Sequence, residues 1–314
     1  METANPDSPE EVRNWLELPA DVLSLIFMKL GAIEVLARAQ AVCSSWRKFS
    51  KAPQLWRRID MREMWDYFET EYDLERMALH AIDRSDGQLV EFSAEHFATD
   101  KVLERIIEKS SPLICLRLVS CYHVSDEELM EVAKKLPLLE ELQLSYCSFS
   151  KEAIEFIGRM CPHLKSFRLN HQGYRCSHID SDEEGLDEEA FAIAKSMPEL
   201  RHLHLFGNMM TNVGLQAIID GCPHLESLDL RQCFNVDLSG YLGKRCAERI
   251  RHLRHPNDST DDYEFNAEIH NDPSFADDYA SGSGGFDDDY DDYTRYHDVN
   301  FPDYEDLDFG FFGF

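Results

Sequence analysis

Two Cys-Pro-His triplets carry the clearest chemistry in the chain: Cys161-Pro162-His163 and Cys222-Pro223-His224, with His171, Cys176 and His178 between them. Thiolates and imidazoles ligate zinc, and a structural site needs four of them around one ion. The triplets lie 61 residues apart at what prove to be equivalent positions of a repeat. That spacing favours structural residues over a shared ion. Asp180-Ser181-Asp182-Glu183-Glu184-Gly185 begins like a calcium loop, but its twelfth position is Phe191, where a bidentate Glu is required. A solvated loop is expected there, with a role in recognition as the other reading. Ser281-Gly282-Ser283-Gly284-Gly285 lacks the Lys, strand and helix of a phosphate loop. No Ser/His/Asp order or Cys/His arrangement suggests an active site. No catalytic residue, metal or cofactor is therefore expected.

The composition narrows the partners. The chain has 314 residues, with 31 Lys+Arg against 60 Asp+Glu and a formal net charge of −29. Phosphate would be repelled over most of the surface, which excludes nucleic acid as a main partner. Residues 257–314 hold 18 acids and one base, Arg295. The apolar run Leu25-Ile26-Phe27-Met28 is broken at Lys29, far short of the roughly 20 residues that span a bilayer. The acidic, proline-containing first 14 residues do not read as a signal peptide. Nine cysteines without a C-x-x-C pair point to reduced thiols. A nuclear and/or cytoplasmic protein without a membrane partner is expected.

The elements that hold these residues repeat. Apolar pairs of the form φ-x-φ occur at Val90/Phe92, Leu116/Leu118, Leu142/Leu144, Phe167/Leu169, Leu203/Leu205 and Leu228/Leu230, spaced by 26, 26, 25, 36 and 25 residues. Thr99, Ser125, Ser150 and Thr211 each precede a helical apolar pattern, where a hydroxyl can cap the first turn. Ser125 and Glu128 have capping-box spacing. Each unit reads as a short strand, a turn and a helix, and only stacking buries its apolar face. The strands end at Cys121, Cys147, Cys233 and Asn208, with Gln172 departing from the pattern. On these residues the chain resembles the cysteine-containing leucine-rich-repeat family over residues 86–255, about six units with an insertion at 172–185.

Residues 15–60 form a separate unit. Leu18-Pro19 precedes Val22, Leu23, Ile26, Phe27 and Leu30, one face of a helix that Gly31 ends. A second helix would hold Val35, Leu36 and Ala39, and a third Val42, Cys43, Trp46 and Phe49 ahead of Leu55-Trp56. In order, these residues resemble the F-box motif, with 61–85 as a helical connector or cap. The resemblance implies docking on a Skp-type adaptor and, through it, on cullin and RING subunits of a ubiquitin ligase. The adaptor-binding set it implies is Leu18, Pro19, Asp21, Leu23, Ile26, Phe27, Leu30, Leu36, Val42, Cys43 and Trp46. Trp46 and Val42 incline to the bundle core; Leu18, Pro19 and Ile26 incline to the partner.

An F-box followed by leucine-rich repeats resembles plant F-box/leucine-rich-repeat proteins. It implies an α/β chain: a disordered N-terminus at 1–14, a three-helix F-box, a curved solenoid, and a disordered acidic tail at 256–314. In that family the repeats hold a protein target, and the members perform no bond chemistry. The residues beside the φ-x-φ leucines face the concave side, including Glu141, Ser145 and Asp229. The expected target-binding set is Arg117, Gln143, Arg168, Asn170, His202, His204, Phe206 and Arg231, suited to acidic or phosphorylated groups. An ordinary mixed polar face is the other reading. The basic stretch Lys244, Arg245, Arg249, Arg251 and Arg254 reads as a solvated capping helix, a nuclear-import signal or an attractor for the tail. The tail, with 14 Phe or Tyr among its acids, reads as a solubilising segment, an activation-type interaction segment or a segment folded back on the concave face. The alternative function is a non-degradative scaffold or transcriptional interaction protein acting through that tail.

Overall fold

The computed structural model describes residues 18–62, 72–109, 112–175 and 185–270. Within them, α1 spans Ala20–Ala37 and turns sharply at Gly31, whose φ of 79° is left-handed. Glycine takes that conformation without steric cost, so two helices meet there, as the sequence pattern predicts. A 3-10 turn at Ala39–Ala41 leads into α2, Ser44–Phe49, and another spans Pro53–Trp56. Phe27 lies inside this bundle, edge-on to Trp46 and Phe49 at 5.3 and 5.5 Å.

Strand and helix then alternate. The strands are β1 (Arg58–Met61), β2 (Glu91–Glu95), β3 (Cys115–Val119), β4 (Glu141–Ser145), β5 (Ser166–Asn170), β6 (Gly173–Tyr174), β7 (His202–His204), β8 (Ser227–Asp229), β9 (His252–Arg254) and β10 (Ile269–His270). The helices that cover them are α3 (Leu74–Arg84), α4 (Asp100–Glu108), α5 (Asp126–Lys135), α6 (Lys151–Met160), α7 (Glu188–Ser196), α8 (Asn212–Gly221) and α9 (Gly240–Arg249). β1–β2–β3–β4–β5–β7–β8–β9 form one parallel sheet in that order, and β6 pairs with β10 in a second. Strand-to-next-strand connections through a helix are the right setting for parallel pairing.

Register fixes which residues face which way. Phe92↔Leu116, Leu116↔Leu142, Leu142↔Phe167, Phe167↔Leu203, Leu203↔Leu228 and Leu228↔Leu253 lie side by side. The first unit corrects the sequence pattern: its inward pair is Phe92/Ala94, not Val90/Phe92, because Ala94 pairs with Leu118. Ala94 is short and did not register as a core position, although it is fully buried. β1 joins the sheet through Ile59↔Phe92, so the sheet begins at Arg58, ahead of the first periodic unit. Trp56, Ile59 and Met61 carry one continuous core from the bundle into the repeats.

The caps divide. Ser125, Ser150 and Thr211 accept from Glu128 N–H, Ala153 N–H and Val213 N–H at 3.2, 3.2 and 3.1 Å. Thr99 stands at the N-cap but makes no cap bond; its hydroxyl donates to Glu75 at 2.6 Å. Carboxylates also tie one repeat to the next: Asp100, Asp126 and Asp187 accept from the N–H of Ser125, Ser150 and Thr211. At the strand ends a left-handed residue precedes each ladder residue, with Ser120, Tyr146, Gly207 and Gln232 ahead of Cys121, Cys147, Asn208 and Cys233. The thiols of Cys121, Cys147 and Cys233 then reach carbonyls of the preceding repeat, those of Ala94, Leu118 and Leu205. Burial pushes the Cys121 thiol up to about 11 and the Cys147 and Cys233 thiols higher still. Protonated thiols are neither nucleophiles nor metal ligands.

Cys161 and Cys222 sit just past the ends of α6 and α8, and their thiols face the carbonyls of Ala133 and Met197. They are repeat residues, as their spacing predicts. Cys176, His178 and residues 180–184 lie outside the described residues, as do 1–17 and 271–314. Residues 256–270, expected to begin a disordered tail, instead return across the sheet. No helix among the described residues is long and apolar enough to cross a membrane.

Candidate functional site

The helical bundle sorts the adaptor-facing set into two groups. Leu23, Phe27 and Leu36 are buried, and Ile26 and Trp46 pack against the same core. Burying aromatic and aliphatic surface is what holds so small a bundle together, and these five contribute to it. Cys43 caps α2, its sulfur accepting from Trp46 N–H at 3.4 Å. Leu18 is half-buried, and Pro19, Asp21 and Leu30 are exposed. Val42, inclined to the core by its sequence context, is instead 63% exposed, because it falls in the turn before α2.

The residues that sequence reasoning missed are on the other side of α1. Leu25 is 56% and Met28 60% exposed, and Val22 joins them. Spacings of three place Val22, Leu25 and Met28 along one side of the helix. Single exposed apolar residues are ordinary; here three share one side of α1. The legible signal was α1 itself: it is apolar on nearly every side, more than one core can bury.

The concave sheet assembles the other set. Register aligns Ser93, Arg117, Gln143 and Arg168 in one row, continued by His204, Asp229 and Arg254. Arg117 is engaged within the sheet, 3.1 Å from Glu141 and 3.9 Å from Glu91. Arg231 makes a bidentate pair with Asp229, with Nε 3.0 Å and Nη2 2.7 Å from its carboxylate. Both are nearly buried, and the His204 ring together with the Arg231 guanidinium holds the Asp229 carboxyl well below its ordinary range despite burial. His204 stands 3.7 Å from the same carboxylate, while His202 is exposed. Gln143, Ser145 and Asn170 form a buried polar floor, both amides donating to Ser145 Oγ at 3.0 Å.

Over that floor runs the chain's own segment 258–268. Tyr263 stacks flat on Phe206, centroids 3.7 Å apart and planes 3° off parallel. Phe265 meets Tyr146 edge-on at 5.6 Å, and the Tyr146 and Tyr263 hydroxyls lie 3.0 Å apart. Burial pushes the Tyr146 hydroxyl up to about 12 and Tyr263 further. Asp262 accepts from Arg231 at 2.6 Å and from Arg254 at 2.5 Å. Glu264 accepts from Arg168 at 2.7 Å, with Arg62 3.6 Å away. Gln232 donates to Ala267 O, and β10 closes on β6. Of the basic stretch, Arg254 alone is among these contacts; Arg245 and Arg249 instead bind Asp220 and the carbonyls of Ile219 and Cys222. Tyr146 and Arg62 were not legible as site residues; for the segment itself, residues 258–268 follow the fold-back reading of the tail and not the disordered one. Tyr146 follows its strand by one residue and turns up through a left-handed φ of 56°.

His171 closes the rim, its ring 3.0 Å from Glu189, which also accepts from Asn208 at 2.6 Å. Burial works against both charges, but the pair outweighs it: His171 is raised and Glu189 lowered. A raised histidine stabilises fully below its ordinary 6.5 and loses that contribution as pH rises through its folded value; the lowered carboxylate loses its own as pH falls. Stability should therefore decline as pH climbs above 6.5, and His171→Gln should flatten that decline in urea titrations across the range.

A helical bundle with exposed apolar residues on α1 is thus joined through one core to a parallel sheet of repeated strand–helix units. The F-box-like family matches residues 15–62. The LRR repeats of an FBD-associated F-box protein match 79–186, and a Leucine Rich repeat family matches 197–218. F-box protein SKIP19 of Arabidopsis thaliana is 44% identical over 305 residues, 95% of each chain. Putative F-box/LRR-repeat protein 22 of the same plant is 46% identical over 258 residues, 82% of this chain and 81% of that one. Putative F-box/LRR-repeat protein 23, also of Arabidopsis thaliana, is 51% identical over 252 residues, 80% of this chain; that match spans only 55% of the relative's length. The chain belongs to the F-box/leucine-rich-repeat family of plants.

Proposed function

We propose that this protein is the substrate-recognition subunit of an SCF-type ubiquitin ligase. Its bundle docks on a Skp-type adaptor and so reaches cullin and RING subunits; its concave sheet holds a protein target; the conjugating chemistry belongs to the other subunits. The observation that carries this reading is the pairing of an F-box with an exposed apolar helix side, centred on Leu25 and Met28, and a repeat sheet lined with Arg, His and aromatic residues. Leu18, Pro19 and Val42 are assigned to docking together with Val22, Leu25 and Met28, and Leu30, exposed on the Leu23–Phe27 side of α1, to the edge of that contact. Arg168, His202, His204 and Phe206 are assigned to target contact, with Gln143, Asn170 and Arg231 as its floor and frame. Protein interfaces draw their energy from a few Arg and aromatic anchors of this kind.

The test is co-purification of the full chain with a Skp-type adaptor and its cullin. Capture by the unchanged chain is expected, together with its loss in a Leu18→Ala/Pro19→Ala chain that keeps its circular dichroism. Absence of capture by both forms would defeat the ligase reading.

A further inference from the structure

The segment seated on the concave face has the character of a ligand. Its grip comes from side chains, Asp262 and Glu264 on arginines and Tyr263 and Phe265 on aromatic rings, with the Ser259, Asn266 and Ala267 carbonyls accepting from Arg231, Tyr146 and Gln232. Backbone pairing is confined to the two residues of β10. The acids are partly exposed, with side chains 63% and 39% accessible for Asp262 and Glu264, and ion pairs in that setting hold weakly. The fit is also incomplete. Beneath the segment the amide oxygens of Gln143 and Asn170 are buried and find no hydrogen-bond partner among the described residues. Unpaired buried acceptors are costly, and an occupant bringing a donor to them would bind better.

The sequence supplies the same chemistry several times. Asp261-Asp262-Tyr263 is the triplet seated on the face, and the tail repeats it at Asp277-Asp278-Tyr279, Asp288-Asp289-Tyr290 and Asp291-Asp292-Tyr293.

We propose that the concave face is a reader of acidic–aromatic peptide segments of the Asp-Asp-Tyr-Glu-Phe kind, and that residues 258–268 occupy it as the chain's own stand-in for a target. The inference rests on the reading of this face as the target side of the receptor. It names the target class: a protein segment with carboxylates on either side of a tyrosine, turned as Thr260–Tyr263 is turned. The tyrosine stacks on Phe206, one carboxylate meets Arg231 and Arg254, and the next meets Arg168. A target must displace the resident segment, so recognition is set by competition and not by contact alone.

The test uses the full chain and a fluorescent peptide with the sequence of residues 258–268. It is titrated into the unchanged protein and into one carrying Tyr263→Ala, Phe265→Ala, Tyr279→Ala, Tyr290→Ala and Tyr293→Ala, which prevents refilling by the other triplets. Saturable binding is expected to the variant, about tenfold or more tighter than to the unchanged chain, because apparent affinity scales with the open fraction. Binding should vanish when Arg168→Glu is added, or when both aromatic residues of the peptide become alanine. No saturable binding by the variant, indifference to Arg168→Glu, or equal binding by the unchanged chain would overturn the proposal. If melting shows the fivefold variant unfolded, Glu264→Arg serves as the released form and the same outcomes decide. Adaptor capture is scored on the same proteins. Its loss from all of them defeats the ligase reading and leaves the peptide result standing, whereas peptide failure with capture intact defeats only this inference.

Discussion

Full-length protein carrying Leu25→Asp and Met28→Asp should fail to co-purify with a Skp-type adaptor while melting at the temperature of the unchanged chain. Both side chains are more than half exposed on α1, so replacing them removes little folded-state packing. In a complex they would be covered, and a carboxylate at each position would then lose its water without gaining a partner. Removing two central apolar anchors and burying two charges should weaken capture by about two orders of magnitude or more. Capture at unchanged affinity would move the docking face elsewhere, to Leu18, Pro19 and Val42 alone. A lower melting temperature would show that α1 uses this side for folding.

Phe27→Ala should behave in the opposite way. Its ring is 2% exposed and lies against Trp46 and Phe49. Deleting it leaves a cavity between Trp46 and Phe49 at the centre of a small bundle, at a cost of about 3–5 kcal/mol. The bundle shares its core with β1, so the effect should register as a drop in the first melting transition, not only as fraying of α1. Adaptor capture should fall with the folded fraction and recover on cooling. A Phe27→Ala chain that melts normally yet loses the adaptor would return Phe27 to the docking face, where the motif resemblance placed it.

The contrast between these two variants shows what kind of information each level carries. The i, i+4 stripe of α1 names Leu23, Phe27 and Leu30 as one face, and a stripe says only that the face is covered by something. Whether the cover is Trp46 and Phe49 or a partner protein depends on where the following turns return the chain. The Gly31 turn and the short α2 decide it, burying Phe27 and leaving Leu25 and Val42 outside.

The solenoid was legible almost entirely from sequence, because parallel repeats are local objects: each strand–turn–helix unit recurs every 25 or so residues and its leucines must align with the next unit's. Only the first unit slipped, by two residues, where Ala94 hides a core position behind a small side chain. The residues beside the leucines lie on the face away from the core, since strand side chains alternate between faces, and the family resemblance implies that this face, with Arg168, His204 and Arg231, is the concave one. What tertiary structure alone decided is how that face is used. Segment 258–270 has no periodicity, so by composition it belongs with the acidic tail; its place is set by aromatic and carboxylate side chains meeting partners far away in sequence, Tyr146, Arg168, Phe206 and Arg231. Contacts of that separation leave no local pattern, because their energy depends on where the finished sheet puts its side chains and not on any neighbour in the chain.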